Sequence, residues 1–185
     1  MVGVFFHWLP LAGTIVLMSG LVYVAVQHNY RSSFNDPQIQ IAEDVAAGLS
    51  AGRPLGQLSS ETDIKKSLAA YVIIYNDKGE PLSSSGLLDG KIPKPPEGVF
   101  QFIRRNGEDR ITWEPQPGVR TAIVITSYSN NSSSGFALAG RNMRELEKRE
   151  RDLEIKVCFG LMAALIISFT LDFVSDIWCR KSMAV

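Results

Sequence analysis

Arg110, Trp113 and Arg120 flank the segment "EPQPG" at 114–118, and Phe100 and Phe102 lie shortly before them. Guanidinium groups beside aromatic rings can hold an anionic or planar ligand, through forked hydrogen bonds and stacking. This is the one grouping in the chain that could line a small-molecule pocket. The alternative is that Trp113 and the phenylalanines are core and the arginines are solvated. Other chemistry is thinly supplied. The two histidines, His7 and His28, border the first apolar run, and the two cysteines, Cys158 and Cys179, border the second. On one helix those cysteines stand roughly 30 Å apart, too far for a disulfide. Between the apolar runs there is neither His nor Cys, so zinc ligation by His and Cys, Ser-His-Asp catalysis and Cys-His catalysis find no residues there. Glu43-Asp44 and Glu108-Asp109 are adjacent pairs, which a regular element points to different faces, and read as solvated surface. "SSSG" lacks the lysine of a phosphate loop. The expectation is a non-enzymatic protein with no cofactor and no metal. Lys plus Arg equals Asp plus Glu at 19 each, so nothing points to nucleic acid.

The charges are not spread evenly. Residues 1–30 and 157–171 contain no Asp, Glu, Lys or Arg. A bilayer core needs about 20 helical residues. Leu9 to Tyr30 supplies one span, with Pro10 in its first turn and His7 and Trp8 at the interface. A cleaved signal peptide is the alternative, but no basic leader and no A-x-A site near Ala25 accompany the run. The second span runs from about Val157 to Trp178, followed by Arg180 and Lys181. Those two basic residues favour an inside C-terminus, and two spans then place both termini in the cytoplasm and residues 31–156 outside it. Asp172 and Asp176 fall four apart in the last third of this span. They can snorkel to the interface. In antiparallel spans, alternatively, Asp176 shares a layer with His7 and a hydrogen bond there fixes helix register.

Between the spans the hydrophobic period changes. "NDPQIQIAEDVAAGLSAGRP" predicts an amphipathic helix capped by Asp36, opened by Pro37 and ended by Gly52 and Pro54. "SSETDIKKSLAA" predicts a second, shorter helix with Ser60-x-x-Asp63 as a capping box. Strands are expected at 71–75, 81–85, 110–113, 119–128 and 135–140, with a helical turn at 97–104. This is an α+β arrangement: a five-stranded antiparallel sheet with N-terminal helices, flanked by two transmembrane helices. The overlapping N-x-S sites at Asn130-Asn131-Ser132-Ser133 are explained by polar loop composition.

After Asn142 nothing breaks a helix until the second apolar run has begun. Met143, Leu146, Leu153, Val157, Gly160, Ala164, Ile167 and Leu171 follow a heptad-like spacing, with Glu150 at the one charged position. Gly160-x-x-x-Ala164 would make a small-residue contact in lipid. The alternative is a solvated linker before an ordinary anchor.

A strand ending in "FALAGRNM", then "RELEKRERDL" and a span, resembles the end of the extracytoplasmic sensor regions of bacterial membrane histidine kinases. "YVIIYNDKGEPLSSSG" resembles their central hairpin. The resemblance covers most of residues 31–178 and implies a PAS-like or Cache-like fold, with one long helix from the first span and another into the second. Only seven residues follow Trp178, so no kinase activity carries over. The organisation expected is an anchor at 1–30, a sensor-like domain at 31–141, a charged helix at 142–156, a second span at 157–179 and a tail at 180–185. The expected function is to pass a ligand or partner signal across a bacterial inner membrane, through another membrane protein or a second copy of the chain. The alternative is an anchored assembly protein whose domain binds a protein partner.

Overall fold

In the computed structural model residues 2–53 and 62–182 are described, and the chain divides into two compact units. One comprises Ser32–Glu147; the other comprises Met1–Arg31 with Lys148–Val185.

The central unit is built on runs of β-branched and aromatic residues at period two. Strands β2 (Tyr71–Asn76), β3 (Pro81–Ser84), β5 (Glu108–Gln116), β6 (Val119–Ser129) and β7 (Ser134–Asn142) form one antiparallel sheet in the order β3-β2-β7-β6-β5. The five expected strands are all present. β5 and β7 run two or more residues further at one or both ends than their apolar cores suggested, and β5 extends until Pro117-Gly118 turns it. Pro at the second and Gly at the third place of that turn suit a type II geometry, and Gly118 has φ +78°. Asn76 and Asn130 set the other two hairpins. The Asn76 carboxamide oxygen accepts from the N–H of Lys78 and Glu80, and that of Asn130 from Ser132 and Ser133.

Alternation gives the sheet two apolar faces. Tyr71, Ile73, Tyr75, Trp113, Ile123, Ile125, Phe136 and Leu138 form the larger core. It is closed by helix α2 (Glu97–Asn106), which sends Phe100 and Ile103 into it from successive turns. Glu97 at the start and Arg104 and Arg105 at the end complement the helix dipole, and Gly107, at φ +85°, ends the helix. On the opposite face, Val72, Ile74, Val124, Tyr128, Ala137 and Ala139 meet Ala42, Ala46 and Leu49 of helix α1 (Val2–Ser50).

Two helix expectations are corrected. Asp36 and Pro37 do not start a helix, and Pro10 does not sit in a first turn; α1 runs unbroken from Val2 to Ser50 through both prolines. Each proline removes one N–H, from the carbonyls of Phe6 and Ser33, and leaves the other bonds of the helix in place. The predicted end is close: α1 stops at Ser50, Gly52 turns at φ +78°, and Pro54 lies outside the described residues. The second short helix is absent from residues 62–70; Ser60 is outside the described residues. Thr62–Asp63 is instead a strand, β1, paired in parallel with β4 (Gly86–Leu87). The Asp63 carboxylate accepts from the N–H of Lys65, and its carbonyl accepts from Ser67, so the segment closes one turn and stops. Ile64, 1% exposed, is drawn into the core by that turn.

In the other unit, the N-terminal part of α1 pairs with helix α3 (Arg144–Ser182). Both helices are long and apolar enough to cross a membrane. Their large apolar side chains point outward: Leu17 is 70% exposed, Phe159 74% and Trp178 77%.

Candidate functional site

The five residues that could have lined a ligand pocket are not brought together. Phe100 is fully buried in the core and Trp113 lies in the same core on β5. Phe102 points outward from α2 and is half exposed. Arg110 alternates with Trp113 to the other face of β5 and pairs with Glu108. Arg120 pairs with Glu147, Nη1 to Oε1, at 2.7 Å. No group of three His, Cys, Asp or Glu among the described residues could hold a metal ion.

The polar features that remain concern helix placement. Where β7 gives way to α3, a network of side chains holds the helix start to the sheet. The Asn142 oxygen accepts from the N–H of Arg144 at 2.8 Å, capping α3. Its amide donates to the Ile64 carbonyl at 2.8 Å. The N–H of Met143 donates to the Arg120 carbonyl at 2.9 Å. Leu146 is buried and Glu147 meets Arg120. Arg141 lies over the Phe34 ring, 4.9 Å from its centroid, and donates through Nε to the Leu68 carbonyl.

Within the helical pair, α1 and α3 run antiparallel. Arg31 Nε meets Glu150 Oε1 at 2.6 Å near one end. Toward the other, Trp8 Nε1 donates to Ser168 Oγ at 2.9 Å and the Trp8 ring stands edge-on to Phe169. The Arg31 guanidinium is held above its ordinary pKa, first by its hydrogen bond to Glu150 and then by the charge of that carboxylate. Glu150, the one charge in the expected seam, thus faces a cation across the pair. A spacing argument along one helix could not supply that partner. The signal was present as Arg31 itself, the first charged residue after 30 uncharged ones.

From Lys148 onward the half-buried positions of α3 are Glu150, Leu153, Val157, Leu161, Ala164, Leu165, Ser168, Asp172 and Asp176. Of the expected seam, Glu150, Leu153, Val157 and Ala164 are half-buried. Gly160 is exposed and lines a groove with Met18, Ser19, Val22, Val157 and Leu161, while Ile167 and Leu171 are 58% and 66% exposed. Leu161 takes the inward place expected of Gly160. On α1 the matching positions are Trp8, Ala12, Ile15, Ser19, Tyr23 and Val26. Both sets recur after eleven residues (150, 161, 172; 8, 19) as well as after seven (150, 157, 164; 8, 15).

His7 and Asp176 do not meet. Trp8, one residue on, opposes Ser168, and Asp176 Oδ2 instead accepts from Arg180 Nε at 2.9 Å within its own helix. Asp172 faces inward, and its Oδ2 has no hydrogen-bond partner among the described residues. The chain matches no protein-family model and no curated protein.

Proposed function

We propose that the chain is a two-span membrane protein whose central unit is an extracytoplasmic, PAS-like or Cache-like sensor domain without enzymatic activity, which passes a ligand or partner signal through α3 into the second span. The observation that carries this reading is the continuity of α3. It starts on a cap tied to the sheet at Asn142 and runs without a break from Arg144 to Ser182, through its charged turns and its apolar ones. A helix of this kind carries a displacement at one end to the other, whereas an anchor needs no such stiffness. The five-stranded antiparallel sheet, the long helix leading into it and the long helix leaving it agree with the sensor-region resemblance. The output is another membrane protein or a second copy of the chain in the bacterial inner membrane. Signalling then requires two packings of the helical seam separated by a few kcal/mol.

The test is a pair of topology reporters inserted in the Asn130–Ser133 loop, one active only outside the cytoplasm and the other only inside. Activity of the outside reporter alone is expected. Activity of the inside reporter alone overturns the sensor reading and leaves a cytoplasmic scaffold on two anchors. In a chain that passes the first test, Gly-Gly inserted after Glu150 should abolish signalling while leaving membrane anchoring intact.

A further inference from the structure

The two helices that join the central unit are held to its sheet by different means. The start of α3 is fixed by directed bonds: Met143 N–H to the Arg120 carbonyl, Asn142 to Ile64, Arg144 to the Lys66 carbonyl and Glu147 to Arg120. The residues of α1 that lie on the opposite face have fewer such ties: the Arg141 guanidinium lies over the Phe34 ring, 4.9 Å from its centroid, and the rest of the contact is apolar packing. Ala42 and Ala46 rest on Val124, Ala137 and Ala139, and Val45 and Ile41 pack at the side. The alanines make the contact shallow at its middle, while Leu49 packs in one cluster with Val72, Ile74 and Tyr128 at its C-terminal end. Among the described residues, the hydrogen bonds from this stretch of α1 to the strands and their hairpin lie at its C-terminal end. Asn130 Nδ2 donates to the Leu49 carbonyl at 2.8 Å, and Ser129 N–H to Ser50 Oγ at 3.4 Å.

At the other end of the stretch stands Gln38. It is fully buried, and neither its amide nitrogen nor its oxygen has a hydrogen-bond partner among the described residues. A buried carboxamide with all its bonds unmade opposes the packing that buries it. Pro37 beside it removes a helix hydrogen bond from the Ser33 carbonyl at the same turn. A missing helix hydrogen bond and an unsatisfied buried side chain therefore coincide in one turn.

We infer that residues 33–48 of α1 are the moving part of the central unit: a lever pivoted at Leu49–Asn130 and released at Gln38, while the start of α3 stays with the sheet. Motion of the lever shifts α1 relative to α3, which is the displacement a transmembrane signal needs. Its use in signalling rests on the sensor reading; the motion itself can be tested without it.

The experiment is amide hydrogen exchange on the full-length protein in detergent micelles, with Gln38→Leu and Gln38→Met as variants. In the unsubstituted protein, peptides covering 33–48 should exchange about tenfold faster than those covering 142–150. Both substitutions should slow exchange at 33–48 about tenfold, leave 142–150 unchanged and raise the unfolding midpoint by about 5 °C. Equal protection of the two segments in the unsubstituted protein overturns the lever. So does a fall in midpoint with both variants, which would show Gln38 to be bonded, or slowing of both segments together. A topology reporter found inside the cytoplasm would remove the sensor reading and leave these exchange rates as they are.

Discussion

Arg31 and Glu150, 119 positions apart in the chain, meet at 2.6 Å across the α1–α3 pair. The arginine side chain is 60% exposed and the carboxylate 17%, so the contact is anchored on the buried side and open to solvent on the other. An ion pair of this exposure contributes little to stability by itself. A double-mutant cycle of Arg31→Ala and Glu150→Ala should give a coupling of about 0.5–1 kcal/mol that shrinks in 1 M salt. Strict additivity would show that the pair does not form in solution. Glu150→Leu should extend the apolar stripe and favour one helix packing, read as a changed cross-linking pattern between cysteines placed on the two helices.

The opposite end of the pair rests on a different interaction. Trp8 donates to Ser168 and sets its ring against Phe169 at 5.4 Å. Trp8→Phe keeps an aromatic ring and removes the N–H. Against Ser168→Ala in a cycle, the coupling should be about 0.6 kcal/mol, the usual size of a hydrogen bond between membrane helices, and it should resist salt where the Arg31–Glu150 coupling does not. Thermal unfolding of the four proteins in one detergent measures both.

The strands were legible because each shows its character within a few residues. Tyr71–Tyr75 is an unbroken apolar run, and Asn76-Asp77-Lys78-Gly79 after it is a turn by composition. What was not legible depended on contacts between distant residues. Pro37 reads as a boundary in one dimension, yet Ala42, Ala46 and Leu49 packing on the sheet and the apolar run before it keep the helix continuous. Asp63 reads as the end of a capping box, yet β4 supplies a strand partner for it. Spacing along α3 alone does not say which residues α1 covers: Ala164 is half-buried, whereas Gly160, Ile167 and Leu171 are exposed. Of the expected pocket residues, strand parity separates Arg110 from Trp113, and Phe100 belongs beneath the sheet.

Two glycines should respond in opposite directions to the same substitution. A Cβ on Gly135 would stand well inside contact distance of the Tyr75 carbonyl oxygen and 2.9 Å from the Tyr128 hydroxyl. Backbone must move to admit it, at a cost of about 3 kcal/mol. Gly98, in the first turn of α2, has nothing within 4 Å of the corresponding position. Gly98→Ala should therefore stabilise by about 0.5–1 kcal/mol through helix propensity. Denaturant unfolding of the two variants checks the pair; equal effects would contradict the close approach of β7 to β2.

Alkaline pH should unfold the central unit through its buried tyrosines. Tyr71 is 1% exposed, and its ring lies over Gly86 and Gly140. Its hydroxyl has no hydrogen-bond partner among the described residues. Burial pushes the phenol up to about 12, with the neighbouring Thr121 hydroxyl opposing weakly. Tyr75, whose hydroxyl donates to the Pro93 carbonyl at 2.6 Å, is also raised by burial. In both, the folded protein holds the neutral form that the unfolded chain gives up near pH 10. The stabilisation is complete below pH 10 and is lost as pH rises from there toward 12, at about 1.4 kcal/mol for each unit of separation. Unfolding midpoints measured between pH 8 and 11.5 should be flat and then fall. Tyr71→Phe removes one ionising group and a hydroxyl without a hydrogen-bond partner among the described residues. It should leave the midpoint at pH 8 equal or higher and make the alkaline fall shallower. A steeper fall, or a loss of stability at pH 8, would show that the Tyr71 hydroxyl is bonded after all.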